Sequence, residues 1–385
     1  MARTHGLAFL LAVALAGCAI APPPKPDVPA GVLDDARFAA PAQPPDAARI
    51  FALDDAMKRF VREDIGTLRR RQGDLMGLVE ALRTRSHMKL DYDTERTRNA
   101  AEAFASRSGN CLALVVMTTA FADELKLPVR FNLALVPELW SRNADLYLRS
   151  GHVNLTIEPS LRESGPGRPG SITIDFMAPE DARTMKTRTI DRDTVVAMFF
   201  NNRAVEALAV GQVDEAYALA AAAVRAQPRF TAAYNTLGVI YLRHGDLALA
   251  DAALRQALAR SPDDLPALSN LASVAERAGR ASEARALRQR LAALEPHPPF
   301  HYFDLGRAAM ARGDLAAARE LFEREAARDP DYHEFQFALA MVNLRLGDEA
   351  RSREHLARAI RSSPTGGERQ LYEAKLARLK GAVAH

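Results

Sequence analysis

Only two cysteines and one tryptophan occur among the 385 residues, so a disulfide-stapled scaffold is excluded. No apolar run approaches the roughly twenty residues that a bilayer-spanning helix needs, apart from a shorter one at the start. Net charge is also scarce: 51 basic against 48 acidic residues leaves +3, which is no footprint for nucleic acid. No phosphate-binding glycine loop is present. The histidines of the repeat region (His244, His297, His301, His333, His355) lack metal-ligand spacing. His297 and His301 are four apart, but Pro298 and Pro299 between them argue against one helix face. These features imply no cofactor, metal or nucleic-acid partner, and the length suits two or three domains.

What the chain does have is a period. Proline falls at Pro228, Pro262, Pro296, Pro330 and Pro364, each 34 residues after the last, and glycine at Gly211, Gly245, Gly279, Gly313 and Gly347 with the same spacing. Small residues precede each glycine by seven positions (Ala204, Gly238, Ala272, Gly306, Ala340) and follow it by five (Ala216, Ala250, Ala284, Ala318, Ser352). Glycine lets the chain leave one helix through a tight turn, and the proline closes the next helix. The small residues mark close helix approach, and Leu237, Leu271, Leu305 and Leu339 are expected in the seams. With Tyr234, Tyr302 and Tyr241 at its aromatic positions, the pattern resembles the tetratricopeptide family. The resemblance implies an all-α solenoid of five helical hairpins over 197–366 that binds a protein or peptide partner. A capping helix is expected at Glu368–Lys380, within the tail 367–385. Arg243, Arg277 and Arg345 share one repeat position and Arg307 lies near it, which suggests either an acidic partner or a solvated charged face.

At the other end, Arg3 flanks the apolar run Leu7 to Ala16, which closes on Leu15-Ala16-Gly17-Cys18. This resembles a bacterial lipobox, and implies removal of residues 1–17 and lipid attachment at Cys18; a secretory signal with a chance cysteine is the alternative. Ala19 after the cysteine implies a cell-envelope protein delivered to the outer rather than the inner membrane. Residues 18–46 hold Pro22, Pro23, Pro24, Pro26, Pro29, Pro41, Pro44 and Pro45 among alanines, and are expected to form a semi-rigid tether that buries no core.

Residues 47–192 open with apolar residues at helical spacing from Leu53 to Arg85, then a more polar stretch at Tyr92–Ala105. An apolar helix is predicted at Leu112–Leu125, and strands at Val129–Val136, His152–Ile157 and Ser171–Phe176. Helices followed by strands indicate an α+β domain.

Cys111 is the residue to explain. With Cys18 lipidated it is the remaining thiol, placed by Gly109-Asn110 at a helix start, where amides and helix dipole favour a thiolate. A buried small hydrophobe is the alternative. Between the leader and the repeats only His87 and His152 can act as its base. His152 begins a strictly alternating strand, Val153, Leu155 and Ile157 on the other face; Asp175 alternates likewise against Ile172, Ile174 and Phe176. In the register pairing position 152 with 175, the two are direct cross-strand neighbours.

A thiol at a helix start, then histidine, then aspartate on two later strands resembles the transglutaminase-like superfamily. Ala100-Ala101-Glu102-Ala103-Phe104 with Arg107-Ser108-Gly109-Asn110-Cys111, and Leu125-Lys126-Leu127-Pro128-Val129-Arg130, carry the resemblance, which spans Tyr92 to Phe176. Asn110 stands where members often have Asp, and Asn154-Leu155 where an aromatic often follows the histidine. The resemblance implies acyl transfer by Cys111, His152 and Asp175; it leaves water and an amine open as acceptor, and a protease or amidase is preferred to a cross-linker because hydrolysis needs no second specific site. Trp140 and Tyr147, within Pro137–Ser150, either wall the cleft or sit in an ordinary packed loop. A papain-like peptidase of another family and a non-catalytic adaptor with a retired enzyme fold are the rival readings.

Overall fold

A computed structural model describes residues 27–83, 90–93, 96–134, 139–143, 146–150, 152–160, 170–176, 186–363 and 366–381. The leader with Cys18, and His87, lie outside them.

The N-terminal region begins with Asp55–Phe60 (α1), which passes through a π-helical turn at Val61–Ile65 into Gly66–Gln72 (α2). The single helical stretch expected over Leu53–Arg85 breaks at Gly73, whose φ of 90° favours glycine, and Asp74–Arg83 (α3) folds back. A Cβ on Gly77 would lie 2.7 Å from the Arg69 nitrogen, so the α2–α3 hairpin is tight. Asp91–Tyr92 (β1) pairs in parallel with Ser108–Gly109 (β2), on either side of Ala100–Ser106 (α4). Next comes Cys111–Glu124 (α5).

Six further strands follow: Val129–Ala134 (β3), Leu139–Asn143 (β4), Leu146–Ser150 (β5), Val153–Ile157 (β6), Ile172–Ile174 (β7) and Thr187–Ile190 (β8). β4 and β5 form a separate hairpin, so the segment around Trp140 and Tyr147 is not a plain loop. The others make an antiparallel sheet ordered β7-β6-β3-β8. The region is therefore of mixed helix-and-sheet kind. Helix α5 is buried from Leu112 to Ala122, with Phe121 against Phe60 and Phe104 (ring centroids 5.6 and 5.7 Å). Across from them, Val153, Leu155 and Ile157 belong to the same core.

The second region is helical throughout. Its hairpins are Arg192–Ala209 (α6) with Val213–Ala226 (α7), Thr231–His244 (α8) with Leu247–Arg260 (α9), and Leu265–Arg277 (α10) with Ala281–Leu294 (α11). Two more follow, His301–Ala311 (α12) with Leu315–Arg328 (α13) and His333–Arg345 (α14) with Glu349–Ser362 (α15), before a last helix, Gly366–Gly381 (α16). All five periodic glycines have positive φ, from 76° to 97°, where each hairpin turns. Pro228, Pro262, Pro296 and Pro330 each stand two residues past a helix end. On α16, Tyr372 is buried, bonds His333 Nδ1 at 2.9 Å and stacks on Phe337, which closes the array.

Two expectations need correction. The first is an unbroken stack. One apolar core runs from the N-terminal region to Val274, and a separate one starts at Phe300. Leu305, expected in a seam, is 45% exposed, and Leu294 41%. Pro296, Pro298 and Pro299 are the physical reason: α12 starts at His301, two residues later than the period requires, after a left-handed Phe300 (φ 67°). The buried Glu325 carboxylate then caps α12, accepting from the Phe300, Tyr302 and Phe303 amides. The second is the tether. Val32 and Phe38 are buried against the first two repeats, and Ile50 beneath α4 accepts from Ala100 N–H at 2.9 Å. Residues 32–38 and Ile50 are thus anchored on the folded chain and do not belong to a free spacer.

A Cβ on Gly238 would sit 2.5 Å from Leu254 Cγ in the α8–α9 seam. Overpacking of this kind costs about 1–3 kcal/mol, more than the gain of about 1 kcal/mol from helix propensity. Gly238→Ala should lower the thermal midpoint read by circular dichroism, whereas Gly170→Ala, with open space around it, should leave it unchanged.

Candidate active site

Cys111 is the first residue of α5 and is half-buried. Two neighbours fix it. Asn110 caps the helix: its Oδ1 accepts from Ala113 N–H at 2.9 Å and its Nδ2 donates to Thr97 Oγ1 at 2.9 Å. Both ends of that carboxamide are used, so Asn110 holds the helix start and does not face a substrate. A Cβ on Gly109 would meet the Ala113 Cβ at 2.8 Å, so the residue before the cap has no room for a side chain. Thr97 in turn gives its N–H to Glu206 Oε1 at 2.7 Å, tying this turn to α6. Burial pushes the Glu206 carboxyl up, against the hydrogen bond from Thr97.

His152 enters from just before β6, where its carbonyl accepts from Ala134 N–H. Its Nε2 lies 2.7 and 2.9 Å from the Asp175 carboxylate oxygens. The bond exists, but the register differs from the expected one. Leu155 pairs with Ile174 and Thr156 with Thr173, so the pairing continued one step sets Asn154, not His152, opposite Asp175. His152 reaches the carboxylate diagonally, within range for cross-strand neighbours. The displaced position is filled by Asn154, which donates to Asp175 Oδ2 at 2.8 Å and accepts from Asn132 Nδ2 at 3.0 Å. Asn132 also donates to Thr156 Oγ1, which pairs with Thr173 Oγ1 at 2.8 Å.

Sequence reasoning missed this polar ladder of Asn132, Asn154, Thr156 and Thr173. Its signal was present: His152, Asn154 and Thr156 alternate on one strand face, and Asn132 interrupts an apolar strand. Asn132, His152, Asn154 and Thr156 are all buried, and buried polar groups persist only where they are partnered.

The electrostatics follow from this geometry. Burial alone would depress the His152 imidazolium, but its hydrogen bonds to Asp175 and Cys111 outweigh that and raise the group to about 9. With Nε2 engaged by Asp175, Nδ1 is the nitrogen left for the sulfur. The arrangement can therefore hold a proton on imidazole beside a thiol at a helix start. Cys111, His152 and Asp175 are neighbours in the fold.

The arginines are engaged elsewhere. Arg243, Arg277 and Arg345 donate to the carbonyls of Leu208, Leu242 and Met310, each 35 residues back at the end of the preceding hairpin's first helix. Their 34-residue recurrence is explained by cation capping of helix ends between repeats, which removes the argument for an acidic partner there. Arg307 is exposed. The side chains of Trp140 and Tyr147 lie outside the described part, and His297 and His301 pack ring to ring at 5.4 Å. Among the described residues no group of three or more candidate ligands could hold a metal ion.

Because its folded value lies above its ordinary 6.5, His152 contributes stability that is full below that pH and lost as pH rises through about 9. Titration of His152 by NMR should show a midpoint near 9, and Asp175→Asn should bring it down toward or below 6.5. A midpoint unmoved by Asp175→Asn would contradict the assignment of cause.

The comparisons with known proteins fall on the repeats. The tetratricopeptide-repeat family model matches residues 201–264, 240–298 and 303–367. Among solved structures, the chain is similar to a MamA protein (17% identity, 43% of this chain and 91% of that one, TM-score 0.25). It is similar to YrrB, described as a TPR protein with an unusual peptide-binding site (18%, 46% and 92%, TM-score 0.26). It is also similar to pilF of Pseudomonas aeruginosa (18%, 50% and 87%, TM-score 0.29). No curated protein matches the chain. The C-terminal part of this chain is built of tetratricopeptide repeats, a scaffold for protein–protein interaction.

Proposed function

We propose that this chain is a lipid-anchored cysteine hydrolase of transglutaminase-like type, held at a bacterial outer membrane through Cys18, whose repeats recruit a protein substrate or partner. The observation that carries the reading is the His152–Asp175 bond at 2.7 Å beside the thiol of a capped helix start. A solvated strand pair would have no reason to bury an imidazole and a carboxylate together, since burial of either costs free energy unless it is paired.

The chemistry follows in two steps. The imidazole stays protonated up to about pH 9, so the Cys111 proton is carried on His152 and the thiolate sulfur bonds to an amide or ester carbonyl carbon. The carbonyl oxygen takes up the negative charge, facing the first-turn amides of α5. The tetrahedral centre collapses, the bond to the leaving amine or alcohol breaks, and His152 protonates that group. Water then attacks the thioester, gives its proton to His152 and releases the acid, restoring the thiol. Asp175 keeps the imidazole oriented throughout and stabilises its cationic form. Hydrolysis is favoured over cross-linking because water needs no second binding site.

The adaptor reading keeps the repeats' interaction role and removes the chemistry. Iodoacetamide separates the two. The enzyme reading expects stoichiometric labelling of Cys111 near neutral pH, slowed roughly a hundredfold or more in His152→Ala. Slow labelling indifferent to that substitution would establish the adaptor instead.

A further inference from the structure

Residues 32–39 lie on the first two repeats as a bound peptide lies in its site. The Tyr241 hydroxyl accepts from Asp34 N–H at 3.1 Å and donates to the Val32 carbonyl at 3.0 Å, which captures main chain and sets register. The Asp35 carboxylate is held by Arg225 at 2.6 and 2.8 Å and by the Tyr217 hydroxyl at 2.8 Å. Three residues on, the Phe38 ring stacks on Tyr217, with centroids 3.9 Å apart and planes 4° from parallel, and packs on His244 at 4.6 Å. Main-chain capture, a cation for an acid and a flat pocket for an aromatic are the parts of a peptide-recognition site.

Two further observations separate this surface from ordinary repeat packing. Three of its residues are not demanded by the period: 34 positions after Tyr217, Arg225 and His244 stand Asp251, Ala259 and Ala278. The occupant, moreover, is held only from afar. Apart from one 3-10 turn at Asp35–Arg37 it has no regular structure, and these contacts link residues 182 to 209 positions apart. Its Asp35–Arg225 contact is open to water, with side chains 65% and 48% exposed, and adds little to the hold, while Arg37–Asp246 at 2.7 Å is the more sheltered of its two ion pairs to the repeats.

We propose that the surface framed by Tyr217, Arg225, Tyr241 and His244 recognises a peptide with an acidic residue three positions before an aromatic one. Its own Asp35–Phe38 strap fills that surface in cis and gives way to a partner segment of the same chemistry. The strap has the advantage of attachment, which raises its effective concentration to the order of millimolar and sets the threshold a partner must exceed. This recognition is independent of any chemistry at Cys111.

A fluorescein-labelled peptide of residues 30–40, titrated by anisotropy against the full chain and against Asp35→Ala/Phe38→Ala, tests it. The variant, its strap loosened, should bind the peptide at least roughly tenfold more tightly than the unaltered chain, and adding Arg225→Glu should abolish that gain. Equal affinity for both chains, no binding by the variant, or indifference to Arg225→Glu overturns the proposal. Should the variant not fold, hydrogen exchange on the unaltered chain decides. A large excess of peptide should speed exchange of the Asp34 and Ala39 amides, which Tyr241 and Asp214 now hold, and unchanged rates overturn it.

Discussion

Helix α5 carries apolar side chains around its whole circumference, and a helix of that kind is stable only when it is enclosed. Enclosure decides where its first residue can stand. Phe121 is locked against Phe60 and Phe104 on one side, and Val153, Leu155 and Ile157 belong to the same core. The helix can neither slide nor rotate without opening that core, so the cap at Asn110 and the thiol at Cys111 are held at one end of the sheet. His152 arrives at the same end because it is the residue just before β6, the strand that contributes those three core side chains. The thiol and the imidazole meet as a consequence of hydrophobic packing around a single helix.

Strand β6 uses both of its faces. Val153, Leu155 and Ile157 are buried in the core, while Asn154 and Thr156, with His152 before them, join buried Asn132 in a polar ladder that runs out to the half-buried Asp175 and the exposed Thr173. Such a ladder is favourable only when it is fully connected, and its connection leaves the Asp175 carboxylate little freedom. Asn154 and His152 share that carboxylate, which fixes the orientation of the imidazole.

Much of this was legible in the sequence, for identifiable reasons. The repeats were, because Gly and Pro act through local backbone geometry, and a 34-residue period makes local geometry visible five times. The shared face of His152 and Asp175 was, because strand alternation assigns faces from sequence alone, and the helix start at Cys111 was marked by Gly109-Asn110. The register between the strands was not. A shift of two residues preserves every face, so alternation cannot tell Asn154 from His152 as the residue opposite Asp175. The arginines misled because equal spacing is shared by a ligand-binding row and by helix-end caps; only the acceptor carbonyls of Leu208, Leu242 and Met310 distinguish them. The packing of Val32 and Phe38 was hidden by the surrounding prolines, although Val32-Leu33-Asp34-Asp35-Ala36-Arg37-Phe38 is a proline-free island with apolar ends within that stretch. The gap before the fourth hairpin was written in Pro296, Pro298 and Pro299, two more prolines than the period requires.

The two regions share one core and one relay of contacts, from Glu206 on the first repeat helix through Thr97 to the cap of the cysteine helix. An interaction scaffold is thereby built directly onto the turn that presents the thiol. The most direct test of the central claim, that this turn presents a nucleophile served by His152 and Asp175, is to trap the acyl-enzyme. Brief exposure to p-nitrophenyl acetate, followed by intact-mass and peptide analysis, should find one acetyl group per chain on Cys111 and almost none there in Asp175→Asn. Acetyl groups spread over lysines, or acetylation of Cys111 to the same extent without Asp175, would contradict it.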